Sequence, residues 1–202
     1  LSIEVGEKWQ ELSTLWRLRQ VEYTWLRNSM NEYVDFWQIT TDSLDYAMDT
    51  LNIKNKKLRR NLLRLYLKLE AYREVKDVLE KLKKEGFKTG ILSNGNKKML
   101  DSAVKNANIS GLLDEVISVE ECKVYKPSNK VYDLVEIKMG IKKEQVLFFS
   151  SNAWDMHAAS NYGFNTIWVN RFNAKLERLP GTPLKIVNSL EKINKIIKNY
   201  KS

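Results

Sequence analysis

Gln145-Val146-Leu147-Phe148-Phe149-Ser150-Ser151-Asn152-Ala153-Trp154-Asp155 decides the fold. Its first five residues carry no charge and are apolar enough for a strand covered on both faces. The polar turn 150–152 follows at once, and Ala153 to Tyr162 then has the composition of a helix. A doubly covered strand running through a short polar turn into a helix is the repeating unit of a parallel sheet with helices on both sides.

The same grammar extends outward on both sides. Downstream, Asn165-Thr166-Ile167-Trp168-Val169 is a strand, and a last helix carries Leu190, Ile193, Ile196 and Ile197. Upstream, Val131, Leu134 and Val135 mark a helix, and Val116-Ile117-Ser118-Val119 a strand. Leu100, Ala103, Val104 and Ala107 mark another helix, and Phe87–Leu92 another strand. Val75, Val78, Leu79 and Leu82 mark a helix that Gly86 stops.

Before Ala71 the pattern is helical throughout. Trp9, Leu12, Trp16, Tyr23, Leu26 and Met30 recur at three, four and seven, predicting one long helix with an aromatic seam. Thr41-Asp42-Ser43 reads as a helix start, and Leu58, Leu62, Leu65 and Leu69 as one face of a further helix. The expected architecture is a helical bundle over 1–71 and an α/β core over 72–202.

Composition excludes several classes. With 43% hydrophobic residues and 6 Trp, 9 Tyr and 6 Phe, the 202-residue chain has the core-building side chains that a disordered one lacks. No apolar run approaches the roughly 20 residues of a membrane helix, and the first eight residues do not resemble a secretion signal. The single cysteine, Cys122, rules out an internal disulfide framework and fits a cytoplasmic location. The net charge is 34 − 25 = +9, but the positives are mostly lysines spread over polar helix faces, such as Lys54, Lys57, Lys81 and Lys84. No nucleic-acid module accompanies them, so a solvated basic surface is expected rather than a nucleic-acid or membrane partner.

Ligands of such sheets bind beyond the carboxyl ends of the strands. Three polar clusters fall there: Ser93-Asn94-Gly95, Lys126 within Val-Tyr-Lys-Pro, and Ser150 to Asp155. Singly, each is ordinary turn and cap chemistry. All three at strand ends, in this order, point to a site. His157, the only histidine, reads as a helix residue without a catalytic role, and Cys122 as packing or surface.

Together, Ile-Leu-Ser-Asn-Gly at 91–95, Val-Tyr-Lys-Pro at 124–127 and Ser-Ser-Asn-Ala-Trp-Asp at 150–155 resemble the second, third and fourth motifs of the haloacid dehalogenase superfamily. The resemblance narrows to the L-2-haloacid dehalogenases (type II): Trp16-Arg17 and Glu22 to Arg27 look like their cap signature. It implies a Rossmann-like parallel core with an α-helical cap, hydrolysis of short L-2-haloalkanoic acids, halide as product, no cofactor and a homodimer. It also implies roles. Arg17 receives the halide, with Asn94 and Phe36 completing the cradle. Ser93 holds the substrate carboxylate. Lys126 keeps a nucleophilic aspartate ionised, in contact with Tyr132 and Ser150. Asn152 and Asp155 orient and activate water. A phosphatase of the same superfamily is the lesser alternative. Such enzymes hold Mg²⁺ with carboxylates, and the position four before Asp155 is here the neutral Ser151, a poor ligand for a hard cation.

The resemblance also implies a first motif, an apolar strand ending in the nucleophilic aspartate. The sequence has no Asp before Asp35, and Glu4 sits in no strand-like context. The first core strand and the nucleophile are therefore expected to be missing. The reading that follows is a fragment or a displaced gene start, with a non-catalytic homologue that binds a small carboxylate or a protein partner as the alternative. The strands near 87–92 and 145–149 are expected to flank a gap, a segment from another source or a direct pairing.

Overall fold

The computed structural model describes residues 6–198. Glu4 lies outside them. The chain divides into two compact units, one built from residues 1–70, 93–107 and 118–125, the other from 71–92, 108–117 and 126–202.

In the first unit, α1 (Trp9–Met30), α2 (Phe36–Thr50) and α3 (Lys56–Tyr66) close on an apolar cluster. Leu12, Trp16, Leu44, Ala47, Met48, Leu51 and Leu63 form it, with Trp37, Leu62 and Tyr66 packed against them. α5 (Lys97–Asn106) belongs to this unit as well, and its N-cap Asn96 accepts from Met99 N.

Over residues 6–70 the helical reading is correct in kind and wrong in three details. α2 starts at Phe36, where Asp35 Oδ1 accepts from Trp37 N and Gln38 N, rather than at 41–43. The hydroxyls expected to cap there bond back to carbonyls inside the helix instead, Thr41 to Gln38 and Ser43 to Ile39. The buried seam of α1 is Leu12, Trp16, Gln20 and Thr24. Leu26 and Met30 stay exposed, at 55% and 66%. On α3 the buried leucines are Leu58 and Leu63, while Leu65 faces outward, and Leu69 lies past the end of the helix and is exposed.

The second unit carries α4 (Glu74–Lys84), then β1 (Gly90–Ser93) paired with β2 (Glu115–Ser118). The final residues of these two strands, Ser93 and Ser118, pass into the first unit. α6 (Asn129–Met139), β3 (Leu147–Ser150), α7 (Ala153–Tyr162) and β4 (Asn165–Val169) follow, then β5 (Lys185–Val187) and α8 (Ile193–Lys198). β3, β4 and β5 are parallel, with Phe149 opposite Ile167 and Ile167 opposite Lys185. β4 is the covered strand: Thr166, Ile167, Trp168 and Val169 are all buried. β5 escaped the sequence reading because three residues, two of them exposed, carry no periodic signal.

Among the described residues, β1 pairs with β2 and β3 with β4, and no strand is hydrogen-bonded between β1 and β3. The direct pairing entertained from sequence therefore does not occur. Side chains do bridge the region. Phe87, before β1, and Leu147 and Phe149 of β3 pack on one cluster with Val78, Ile193 and Ile197. Elsewhere in this unit Arg171 pairs with Glu74 and lies 3.7 Å above the Tyr72 ring.

Candidate active site

Lys126 lies three residues before α6 and is 4% exposed. Its ammonium donates to Leu92 O at 2.9 Å, at the carboxyl end of β1, and to Asp155 Oδ2 at 3.1 Å. It also sits 4.8 Å from the centre of the Phe148 ring and 5.9 Å from that of Tyr132. A buried cation is tolerated only when paired and hydrogen-bonded, and both conditions are met.

Asp155, in the first turn of α7, is 5% exposed. Its Oδ1 accepts from the Tyr132 hydroxyl at 2.9 Å. Its Oδ2 accepts from the Ser150 hydroxyl at 2.9 Å as well as from Lys126. The helix N-terminus favours the same negative charge. Three donors hold the carboxylate in place, and it in turn positions the lysine. Burial, and then the negative charge of Asp155, push the Tyr132 phenol well above the usual tyrosine range, so Tyr132 serves as a donor.

Four of the expected site residues, Lys126, Tyr132, Ser150 and Asp155, thus meet in one buried cluster. Lys126 lies over the Tyr132 ring, and the hydroxyls of both Tyr132 and Ser150 donate to its carboxylate partner, Asp155. Asn152 is the N-cap residue of α7, yet its side chain makes no capping bond, and its N–H donates to Ser150 Oγ at 3.2 Å. The plain-cap explanation therefore fails for both Asn152 and Asp155. Ser151 is exposed, and its carbonyl accepts from Trp168 Nε1.

Arg17, Phe36, Ser93 and Asn94 belong to the first unit. Ser93 Oγ accepts from Gly95 N at 3.1 Å, which tightens the turn after β1, and Asn94 is half-buried in it. Gly95 O in turn accepts from Ser118 Oγ at 2.7 Å. A Cβ at Gly95 would come within 3.1 Å of Leu100 Cδ2, a close approach that Leu100 would have to give way to.

Arg17 and Phe36 share a support that the motifs did not include. The Arg17 guanidinium donates to Gln20 Oε1 at 2.9 Å. Gln20 Nε2 donates to Thr40 Oγ1 at 2.8 Å, and Thr40 Oγ1 donates to Phe36 O at 2.7 Å. Gln20 and Thr40 are fully buried. A glutamine on a charged helix reads as solvent-facing. Only its place four residues after Trp16, on the buried stripe, hinted otherwise.

Tyr125, just before Lys126, is also held from a distance. Asn28 donates to Tyr125 O and accepts from Tyr125 N, both at 2.9 Å, and the Tyr125 hydroxyl donates to Val34 O. Tyr33 and Phe36 pack on its ring.

Comparison with known proteins identifies the family. The haloacid dehalogenase-like hydrolase family matches residues 2–163. A curated relative, (S)-2-haloacid dehalogenase 1 of Pseudomonas sp. strain CBS-3, is 43% identical over 175 residues, 86% of this chain and 77% of that one. A solved L-2-haloacid dehalogenase superposes with TM-score 0.94 at 37% identity, covering 98% of this chain and 89% of the other. The L-2-haloacid dehalogenase of Xanthobacter autotrophicus, solved with chloropropionic acid covalently bound, superposes with TM-score 0.90 at 29% identity, covering 98% and 89%. Lys126, Ser150 and Asp155 sit in the motifs that first suggested this kinship, and the chain belongs to the haloacid dehalogenase-like hydrolases, in the branch of the (S)-2-haloacid dehalogenases.

Proposed function

We propose that this chain serves the hydrolytic dehalogenation of short L-2-haloalkanoic acids to 2-hydroxy acids. An aspartate carboxylate attacks C2 from behind, forming a C–O bond as the carbon–halogen bond breaks and halide leaves. Water then cleaves the ester at the aspartate carbonyl, releasing the hydroxy acid with inverted configuration. The observation that carries this reading is the buried Lys126 held by Asp155, which supplies a fixed positive charge at the end of β1.

The division of labour proposed is a cap over 1–71 and a core over 72–202. Arg17, Asn94 and Phe36 receive halide. Ser93 holds the substrate carboxylate. Lys126, set by Asp155, Ser150 and Tyr132, keeps the attacking aspartate ionised. Asn152 orients the hydrolytic water, with Asp155 contributing charge. No divalent metal is required in this scheme. Ser151 stands where the superfamily's phosphatases carry a carboxylate, and Asp155 already accepts from three donors. The scheme places the enzyme in the cytoplasm as a homodimer, whose partner would cover the exposed Leu18, Leu26 and Met30 of α1.

The attacking aspartate is not in the 202-residue sequence. That polypeptide alone should therefore release no halide from L-2-chloropropionate. The same chain preceded by a family-like strand ending in Asp should release chloride, should ignore the D-enantiomer, and should be unaffected by EDTA. Lys126→Ala in that background should lose about a hundredfold or more in rate. Halide release by the unextended polypeptide, or a Mg²⁺-dependent phosphatase activity, would overturn the reading.

A further inference from the structure

The first unit holds a concavity that none of these roles uses. It is a groove of about 640 Å³ between α2 and α3, lined by Trp37, Lys56, Arg59, Arg60, Leu63, Arg64 and Leu67. That volume lies within the range of small-molecule sites. Four of its seven lining residues are cations and none is acidic.

Lys56, Arg60 and Arg64 are spaced at i, i+4 and i+8 on α3, so they form one exposed stripe about 12 Å long. Like charges at this spacing repel and cost helix stability rather than adding to it. Arg59 is different, because Asp45 neutralises it through paired hydrogen bonds. The choice of residue also departs from the rest of the chain. The sequence has 25 lysines and 9 arginines, yet three of the nine fall within residues 59–64. Lysine suffices for a solvated surface, whereas arginine presents a planar fork that matches the oxygens of phosphate. Beside the cations lies the half-buried Trp37 ring, with Leu63 and Leu67 completing the lining.

From this combination we propose that the groove binds a nucleoside polyphosphate. The phosphates would lie along Lys56, Arg60 and Arg64, and the base would stack on Trp37. A single carboxylate or halide is too small to engage the whole stripe, which separates this ligand from the substrates of the dehalogenation site.

Calorimetric titration of the full chain with ATP, inorganic triphosphate, adenosine and hexaglutamate tests the proposal. ATP should bind saturably and most tightly, triphosphate more weakly because it cannot stack, and adenosine weakest. Raising the ionic strength should weaken ATP binding severalfold. Arg60→Ser/Arg64→Ser should weaken ATP binding about tenfold or more, which equals about 1.4 kcal/mol, without lowering Tm, since the change removes repulsion on an exposed face. Trp37→Leu should reduce ATP affinity to that of triphosphate. The proposal is overturned if ATP shows no saturable binding, if the double variant binds ATP as well as the parent, or if hexaglutamate binds as tightly as ATP.

Discussion

The Asp155 carboxylate is where most of the interior polar chemistry of the second unit meets. Its Oδ1 accepts from Tyr132, and the side chain is only 7% exposed, so loss of that hydroxyl leaves a buried oxygen poorly satisfied. Tyr132→Phe should therefore lower the unfolding free energy by about 1–3 kcal/mol, measured by urea titration. Lys126→Met leaves the whole charge uncompensated and should cost about 3–5 kcal/mol. Adding Asp155→Asn to that variant should recover part of the loss, because the amide carries no charge to strand. The tyrosines set an alkaline limit. Burial pushes Tyr33 up to about 12 and raises Tyr132 as well. In the unfolded chain both ionise near pH 10. Their contribution to stability is thus complete below about pH 10 and declines as pH rises toward the folded values. Unfolding free energy should fall steadily between pH 10 and 12, and Tyr132→Phe should make that fall shallower.

At the scale of single elements, the sequence and the structure part where polar groups go inside. The α7 and β4 boundaries, 153–162 and 165–169, were legible because composition and burial agree there. The seam of α1 was not. Hydrophobicity pointed to Leu26 and Met30, while the core admits Gln20 and Thr24, which satisfy their polar atoms through Thr40 Oγ1 and Val21 O. Periodicity counts apolar side chains and is blind to a glutamine whose partners come from another helix. The three motif clusters were legible as a group, but the supports behind them, Gln20, Thr40 and Asn28, were not, because none belongs to a motif. Gln20→Leu tests the first support. The variant should fold with a loss of about 1–2 kcal/mol. The Nη signals of Arg17 in NMR spectra should shift as the Gln20 acceptor of Nη1 disappears.

For the molecule as a whole, the sheet arrangement sets which amides are protected. β4 is bonded on both sides, to β3 and β5, whereas β3 is bonded to β4 alone among the described strands. Native-state hydrogen exchange should be slowest in β4 at residues 166–169 and faster in β3 by about tenfold or more. Equal protection in the two strands would show that another segment covers β3. The make-up of the first unit bears on ancestry and engineering alike. Its three stretches, 1–70, 93–107 and 118–125, are far apart in the gene, and the Asn28–Tyr125 backbone clasp joins two of them. Recombination with a related gene at a single crossover near codon 71 would deliver half of that clasp from each parent. Inheritance of the helical unit is therefore not modular. Hybrids that transfer only the leading segment should melt earlier than those that also carry 93–107 and 118–125 from the same donor.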